Sequence, residues 1–183
     1  MNNHFREQYI ETALASFHRL KELGDKALSQ VSDEHFFALP GPEDNSIAIL
    51  VKHISGNMRS RWTDFLTSDG EKPDRHRDSE FEIDPKTTPS ALMEGWEAGW
   101  NTLFKAIESL DPEDLDSTVH IRGRPYTVVE AIDRQLIHYA LHVGQIIMLA
   151  KHFAHKWVTL SIPRGKSEEY TRKMFSEYGK DYP

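Results

Sequence analysis

His138 and His142 stand four residues apart in the run Asp133-Arg134-Gln135-Leu136-Ile137-His138-Tyr139-Ala140-Leu141-His142-Val143-Gly144-Gln145. On a helix, residues i and i+4 lie on one face, so both imidazoles can point at a common atom. Neutral imidazole suits zinc, nickel, copper and iron, and a pair at this spacing is one way to hold such an ion. Two ligands do not complete a site. The chain contains no cysteine, which removes thiolate sites, disulfides and a cysteine nucleophile together. Any metal must be held by nitrogen or oxygen.

A third ligand is offered by His53, which sits among Leu50, Val51 and Ile54 with Asn57 and Arg61 following at i+4 and i+8. A lone histidine there reads more often as a hydrogen-bonded core residue. The set is worth more than its members: if the helices carrying His53 and His138/His142 pack as neighbours, three imidazoles converge. Three protein ligands with one open position is the arrangement of a catalytic metal, whereas structural zinc normally closes all four. An open position takes water or a coordinating substrate atom. His4, His18, His35, His76, His120, His152 and His155 have no companion at helical spacing beside an apolar stripe, and read as surface or structural residues.

These ligands need helices to hold them. Apolar residues recur at helical spacing through Ile10, Ala13, Phe17, Leu20, Ala27 and Leu28, predicting a first helix over 5–30. Two prolines and a glycine in Leu39-Pro40-Gly41-Pro42 then forbid continuation. Asn45 or Ser46 caps a second helix with the stripe Ile47, Leu50, Ile54, Met58, Trp62 and Phe65. His53, Asn57, Arg61 and Asp64 form a polar row beside that stripe. A charged connection runs from Ser68 to Pro89, long enough to be either functional or disordered. Thr88-Pro89 opens a third helix through Trp96, Trp100 and Ile107, ending before Asp111-Pro112. Segments 118–122 and 125–128 read as a short hairpin about Gly123-Arg124.

Thr127-Val128-Val129-Glu130 matches a capping box. It starts a fourth helix with the predicted buried side Val129, Ile132, Leu136, Ala140, Val143, Ile147 and Ala150, ending near His152-Phe153. A short last helix is expected over Ser167 to Tyr178. The expected fold is therefore all-α: one domain over 1–183, an up-down four-helix bundle with long connections, a short β-hairpin before helix four and a short C-terminal helix. Bundle cores are a common place for metal sites.

Composition sets outer bounds. At 183 residues, 38% hydrophobic and 28% charged, the chain can bury a substantial core without staples. A net charge of −7 disfavours nucleic acid as a partner. No run approaches the roughly 18 apolar residues of a membrane span, and the start Met1-Asn2-Asn3-His4-Phe5-Arg6-Glu7 lacks a secretory signal. The expected location is cytoplasmic.

With one histidine in Val51-Lys52-His53-Ile54-Ser55-Gly56-Asn57 and a pair in His138-Tyr139-Ala140-Leu141-His142-Val143-Gly144-Gln145, the chain resembles the DinB-like superfamily of metal-binding four-helix bundles. That superfamily includes the YfiT-like metal-dependent hydrolases and the bacillithiol S-transferases. The stretches Gly56 to Lys72 and Ser161 to Glu169 resemble a narrower branch within it. The resemblance implies that His53, His138 and His142 bind one divalent transition metal, nickel or zinc. It implies a homodimer and a small-molecule substrate, either a low-molecular-weight thiol activated for transfer or a water activated for hydrolysis.

Four further residues are candidates for work around the metal. Asn57 and Arg61 continue the row of His53 and can orient a ligand or bind an anionic group, since arginine presents a planar fork to carboxylates. Their plainer reading is an interhelical hydrogen bond and a surface salt bridge. Arg134 and Gln145 flank the histidine pair and can fix an imidazole, as metal-bound histidines usually require; Gln145 can equally serve packing. Glu130 belongs to the capping box. Trp62, Trp96, Trp100 and Trp157 can line a pocket but at helical spacing are more often core. The connection over 69–82 is the candidate rim over the metal, or else a solvated loop or dimer contact.

Overall fold

The computed structural model describes residues 2–179. Four long helices carry it: α1 (Asn3–Leu28), α3 (Ile47–Trp62), α4 (Pro89–Glu108) and α5 (Val128–Phe153). A single-turn α2 (Asp33–Phe36) interrupts the first connection, and α6 (Ser167–Glu177) follows the bundle. The caps are those the sequence announces. Ser46 accepts from Ile49 N and Thr88 from Ala91 N, with Pro89 at the first helical position. Thr127 and Glu130 form a reciprocal capping box at the start of α5. Each pairs orphan N–H groups that a helix start otherwise leaves open.

α3 packs along α4 and α1 along α5, and contacts of α3 with α5 and of α1 with α4 close the ring. The approach of α3 to α4 is close at Gly99, where a Cβ would lie 3.3 Å from Ser55 Cα and from Met58. For the site, the α3–α5 contact matters most, because it makes His53 a neighbour of His138 and His142. The core between the helices is aromatic. Phe17 meets Trp62 edge-on at 5.8 Å, and Trp100 meets Tyr139 at 5.9 Å. Trp62, Trp96 and Trp100 are buried and Trp157 packs partly buried against the core, so the tryptophans are core residues. Among the described residues, no helix is long and apolar enough to cross a membrane.

Three expectations need correction. The hairpin pairs β1 (Thr118–Ile121) with β2 (Arg124–Thr127), with Ile121 opposite Arg124. Its turn is therefore Arg122-Gly123, one residue earlier than expected. Both turn residues have positive φ, 56° and 72°, which a two-residue hairpin turn requires if it is to match strand twist. Asp69 holds that backbone in place, accepting from Arg122 N (2.8 Å) and Gly123 N (2.7 Å).

The second correction concerns α5. Ala140 is exposed; Ile132, Val143 and Ala150 are buried as expected and Val129, Leu136 and Ile147 pack half-buried against the core, while the buried face also takes in Ala131, Gln135, Tyr139 and Ile146. The third concerns the end of α3, where the helix stops at Trp62 and Asp64, with φ 48°, lies beyond it and exposed. The polar row on α3 is thus His53, Asn57 and Arg61, and all three are buried.

A candidate metal centre

One nitrogen from each of His53, His138 and His142 lies within 4.8 Å of the others. His53 Nε2 and His138 Nε2 are 3.4 Å apart. Two nitrogens bound tetrahedrally at about 2.0–2.1 Å from one zinc-sized ion lie about 3.3–3.4 Å apart, so this edge already has ligand spacing. The rings stand nearly perpendicular in pairs, at 74°, 77° and 86°, which keeps them from stacking and turns their edges to a shared point.

The outer nitrogens decide which lone pairs face that point. His53 Nδ1 lies 2.8 Å from Glu80 Oε2, and a carboxylate can only accept, so Nδ1 carries a proton, and in the neutral imidazole, the form that can bind a metal, Nε2 is bare. His142 Nδ1 lies 2.8 Å from Gln145 Oε1, which fixes the same tautomer. His138 Nδ1 is buried without a partner. With the three imidazoles neutral, at most one proton, on His138 Nε2, is available to the three converging nitrogens. Hydrogen bonding within the cluster cannot satisfy them all, whereas a cation satisfies all three. The residues fit a divalent transition metal.

The support for His53 comes from the connection between α3 and α4. Arg75 grips Glu80 with a fork, Nε to Oε1 at 2.8 Å and Nη2 to Oε2 at 2.9 Å. Both residues are buried. Burial alone would raise the Glu80 carboxyl, but the His53 and Arg75 hydrogen bonds and the Arg75 charge outweigh it and hold it below the usual carboxylate range. Room for the carboxylate exists because residue 56 is glycine: a Cβ there would lie 2.4 Å from Glu80 Oε1. Lys52 Nζ adds a clamp from α3, donating to Ser79 O and Glu82 O at 2.6 Å each. The segment around the 3-10 helix Arg77–Phe81 is thus part of the wall of the site and supplies its second layer. The sequence offered the 69–82 connection as a rim over the metal, but nothing in it singled out Glu80 or Arg75.

Asn57 and Arg61 have buried assignments. Trp62 Nε1 donates to Tyr139 Oη (3.0 Å), whose hydroxyl donates to Asn57 Oδ1 (2.9 Å). This chain pins the inner face of α5 to α3 one residue from His138. Arg61 donates through Nη1 to Gly70 O and through Nη2 to Glu71 Oε2 (3.0 Å). Arg61 is buried and Glu71 half-buried, so the pair is not the surface bridge that the sequence suggested. Glu71 Oε2 also takes Arg122 Nε at 3.1 Å and lies 3.4 Å from Arg75 Nη1. Of the two candidates for fixing an imidazole, Gln145 does so. Arg134 instead stacks over Tyr126, 5.8 Å from the ring centroid. Asn57, Arg61 and Arg134 line a cleft of about 730 Å³ that opens onto His53 and His138.

Burial, then the neighbouring His142, His53 and arginine charges, push the His138 imidazole down to about 3. Burial and His53 also lower His142, against the opposing Gln145 hydrogen bond. The sign of the consequence follows. An unfolded histidine takes a proton near pH 6.5, while folded His138 resists until about pH 3. Between those values the unfolded chain holds more protons, so metal-free protein should lose stability steadily as pH falls through that window. Denaturant midpoints measured across it should decline, and less steeply in His138→Gln. A flat wild-type midpoint down to about pH 4 would contradict the burial argument.

A family model described as protein of unknown function (DUF1572) matches residues 4–166. No curated protein matches the chain.

Proposed function

The chain belongs to the family described as protein of unknown function (DUF1572), and from that footing we propose a metal-dependent enzyme built on His53, His138 and His142. One observation carries the reading: three buried or half-buried imidazoles converge, and in their neutral forms at most one proton lies among the facing nitrogens. The likeness of the His53 and His138/His142 motifs to the DinB-like bundles supports nickel or zinc as the ion and a homodimer as the assembly.

A divalent ion held by His53, His138 and His142 would supply a Lewis acid able to lower the pKa of a bound thiol or water. The protein's own groups do the rest. Glu80 and Gln145 hold two imidazoles in one tautomer, and the Asn57–Tyr139–Trp62 chain fixes α5 against α3. The cleft beside His53 and His138 admits a small molecule to the open side. A chain without cysteine suits a thiol that arrives as substrate, and the same position suits water and hydrolysis.

The test is turnover. Metal-loaded protein would be screened with low-molecular-weight thiols against alkylating electrophiles, and separately with activated esters and amides. The expected result is turnover in one screen that is lost on chelation and in His142→Ala. Stoichiometric metal with no turnover in either would overturn the enzyme and leave a binding module.

A further inference from the structure

The mouth of the cleft is unlike the rest of the molecule. The chain has a net charge of −7, yet five arginines, Arg61, Arg75, Arg77, Arg122 and Arg134, line the cleft against two carboxylates, Glu130 and Asp133. The arginines divide by what already holds them. Arg61 and Arg75 are committed to Glu71 and Glu80. Arg122 gives Nε to Glu71. Arg77 stacks on Phe81 at 5.1 Å, with Asp78, itself fully exposed, 3.8 Å away. Arg134 stacks on Tyr126 and, among the described residues, makes no ion pair.

Both carboxylates of the lining are tied down. Glu130 takes Thr127 N and Oγ1 at 2.7 and 3.0 Å, and Asp133 takes Tyr9 Oη at 2.7 Å. Neither reaches Arg134 or Arg77 as an ion-pair partner. Deeper in the cleft, the buried Arg61 keeps an Nε–H without an acceptor. Guanidinium groups that lie over aromatic rings at 5.1 and 5.8 Å, with at most one exposed carboxylate 3.8 Å away, keep N–H groups to offer, and a guanidinium fork matches carboxylate or phosphate oxygens in a two-pronged geometry. Ile137 and Leu141, 72% and 60% exposed, form an apolar stretch of the same wall.

We propose that this cleft recognises a small organic anion, a carboxylate or phosphate ester with an apolar body, through Arg134 and Arg77. The inference rests on the reading of the cleft as the open side of the metal position and names the class of substrate that enters there. The anion sits on the arginines at the mouth, and the apolar body lies along Ile137 and Leu141. The reacting end then reaches the histidines. Arg61 and Arg75, neutralised by Glu71 and Glu80, shape the floor.

Calorimetric titration of metal-stripped protein with butyrate, butyl phosphate and uncharged butyramide tests this without the metal as a competing anion site. At least one of the two anions should bind about tenfold or more tightly than butyramide, the least that a charge-assisted hydrogen bond contributes. Which anion wins identifies the headgroup. The double variant Arg134→Gln/Arg77→Gln, altered only at exposed side chains, should lose that preference. Raising ionic strength from about 0.01 M to about 0.15 M should weaken wild-type binding.

Equal affinity for all three probes would overturn the proposal, as would a preference that survives in the double variant. So would anion binding seen only after metal is added. Because the titration needs no metal, a protein that binds butyl phosphate but never takes up zinc or nickel would keep this inference and lose the metal reading. The reverse result would do the opposite.

Discussion

Protein produced with zinc or nickel in the medium is expected to carry one equivalent of metal per chain, and His53→Ala, His138→Ala and His142→Ala to carry none after dialysis. Removing any one of the three nitrogens leaves two ligands from α3 and α5 or from α5 alone, and no other histidine, aspartate or glutamate cluster among the described residues is placed to replace it. The metal should also report itself as stability. A ligand that binds only the folded state at a thousand times its dissociation constant contributes about 4 kcal/mol. For a chain of this size each kcal/mol moves the melting temperature by about 2–4 °C, so the metal-dependent shift should reach roughly 8–16 °C. In the histidine variants that shift should vanish. Wild-type protein that emerges without stoichiometric metal from metal-replete production, and melts at the same temperature with or without it, would remove the centre from consideration.

Much of the centre could be read from residue types and spacing. His138 and His142 are one turn apart, and His53 lies beside an apolar stripe, so their convergence needed only the α3–α5 contact that the bundle makes. The helix starts were equally readable, because Ser46, Thr88-Pro89 and Thr127/Glu130 act locally, through atoms three residues away. What escaped is what tertiary contact alone decides. α5 carries Ile137, Leu141 and Met148 on its exposed side, so apolar residues surround much of the helix and its periodicity does not fix which side is buried. The inner face passes through Gln135 and Tyr139, polar residues that an apolar count discards.

Glu80 and Arg75 were hidden for a related reason. They lie in a segment rich in both charges, which has the composition of a solvated loop. A charged residue is buried only when a partner of fitting geometry is buried with it. Here the partners are each other and His53, which is 27 residues from Glu80 (80 − 53 = 27). The absence of a side chain at Gly56 completes the arrangement. A glycine inside a helix costs about 1 kcal/mol relative to alanine, and the space it leaves for a buried carboxylate is what offsets that cost.

Glu80 is consequently where stability and metal affinity should be most tightly joined. In Glu80→Ala, the buried Arg75 loses the carboxylate that holds two of its nitrogens and keeps only Glu71, 3.4 Å from Nη1; breaking a buried pair typically costs about 3–5 kcal/mol, and the remaining Glu71 puts the expected loss at the lower end. His53 loses the acceptor that keeps its proton on Nδ1, and loss of such a partner typically weakens metal binding about 10–100-fold. Two further variants separate these effects. Glu80→Gln keeps an acceptor for His53 but removes the charge facing Arg75, so it should lose stability while keeping more of the metal affinity than alanine does. Gly56→Ala keeps the carboxylate's charge but places a methyl 2.4 Å from the present position of Oε1. It should drive the carboxylate off His53, so metal affinity falls although no ligand or charge has been removed. Denaturant titration of the metal-free proteins and competition with a chelator for the loaded ones give the two quantities independently. If all three variants bound metal as tightly as wild type while losing stability, Glu80 would serve only to neutralise Arg75. The orientation of His53 would then have to come from its packing against Phe81, whose ring lies 5.0 Å from its own.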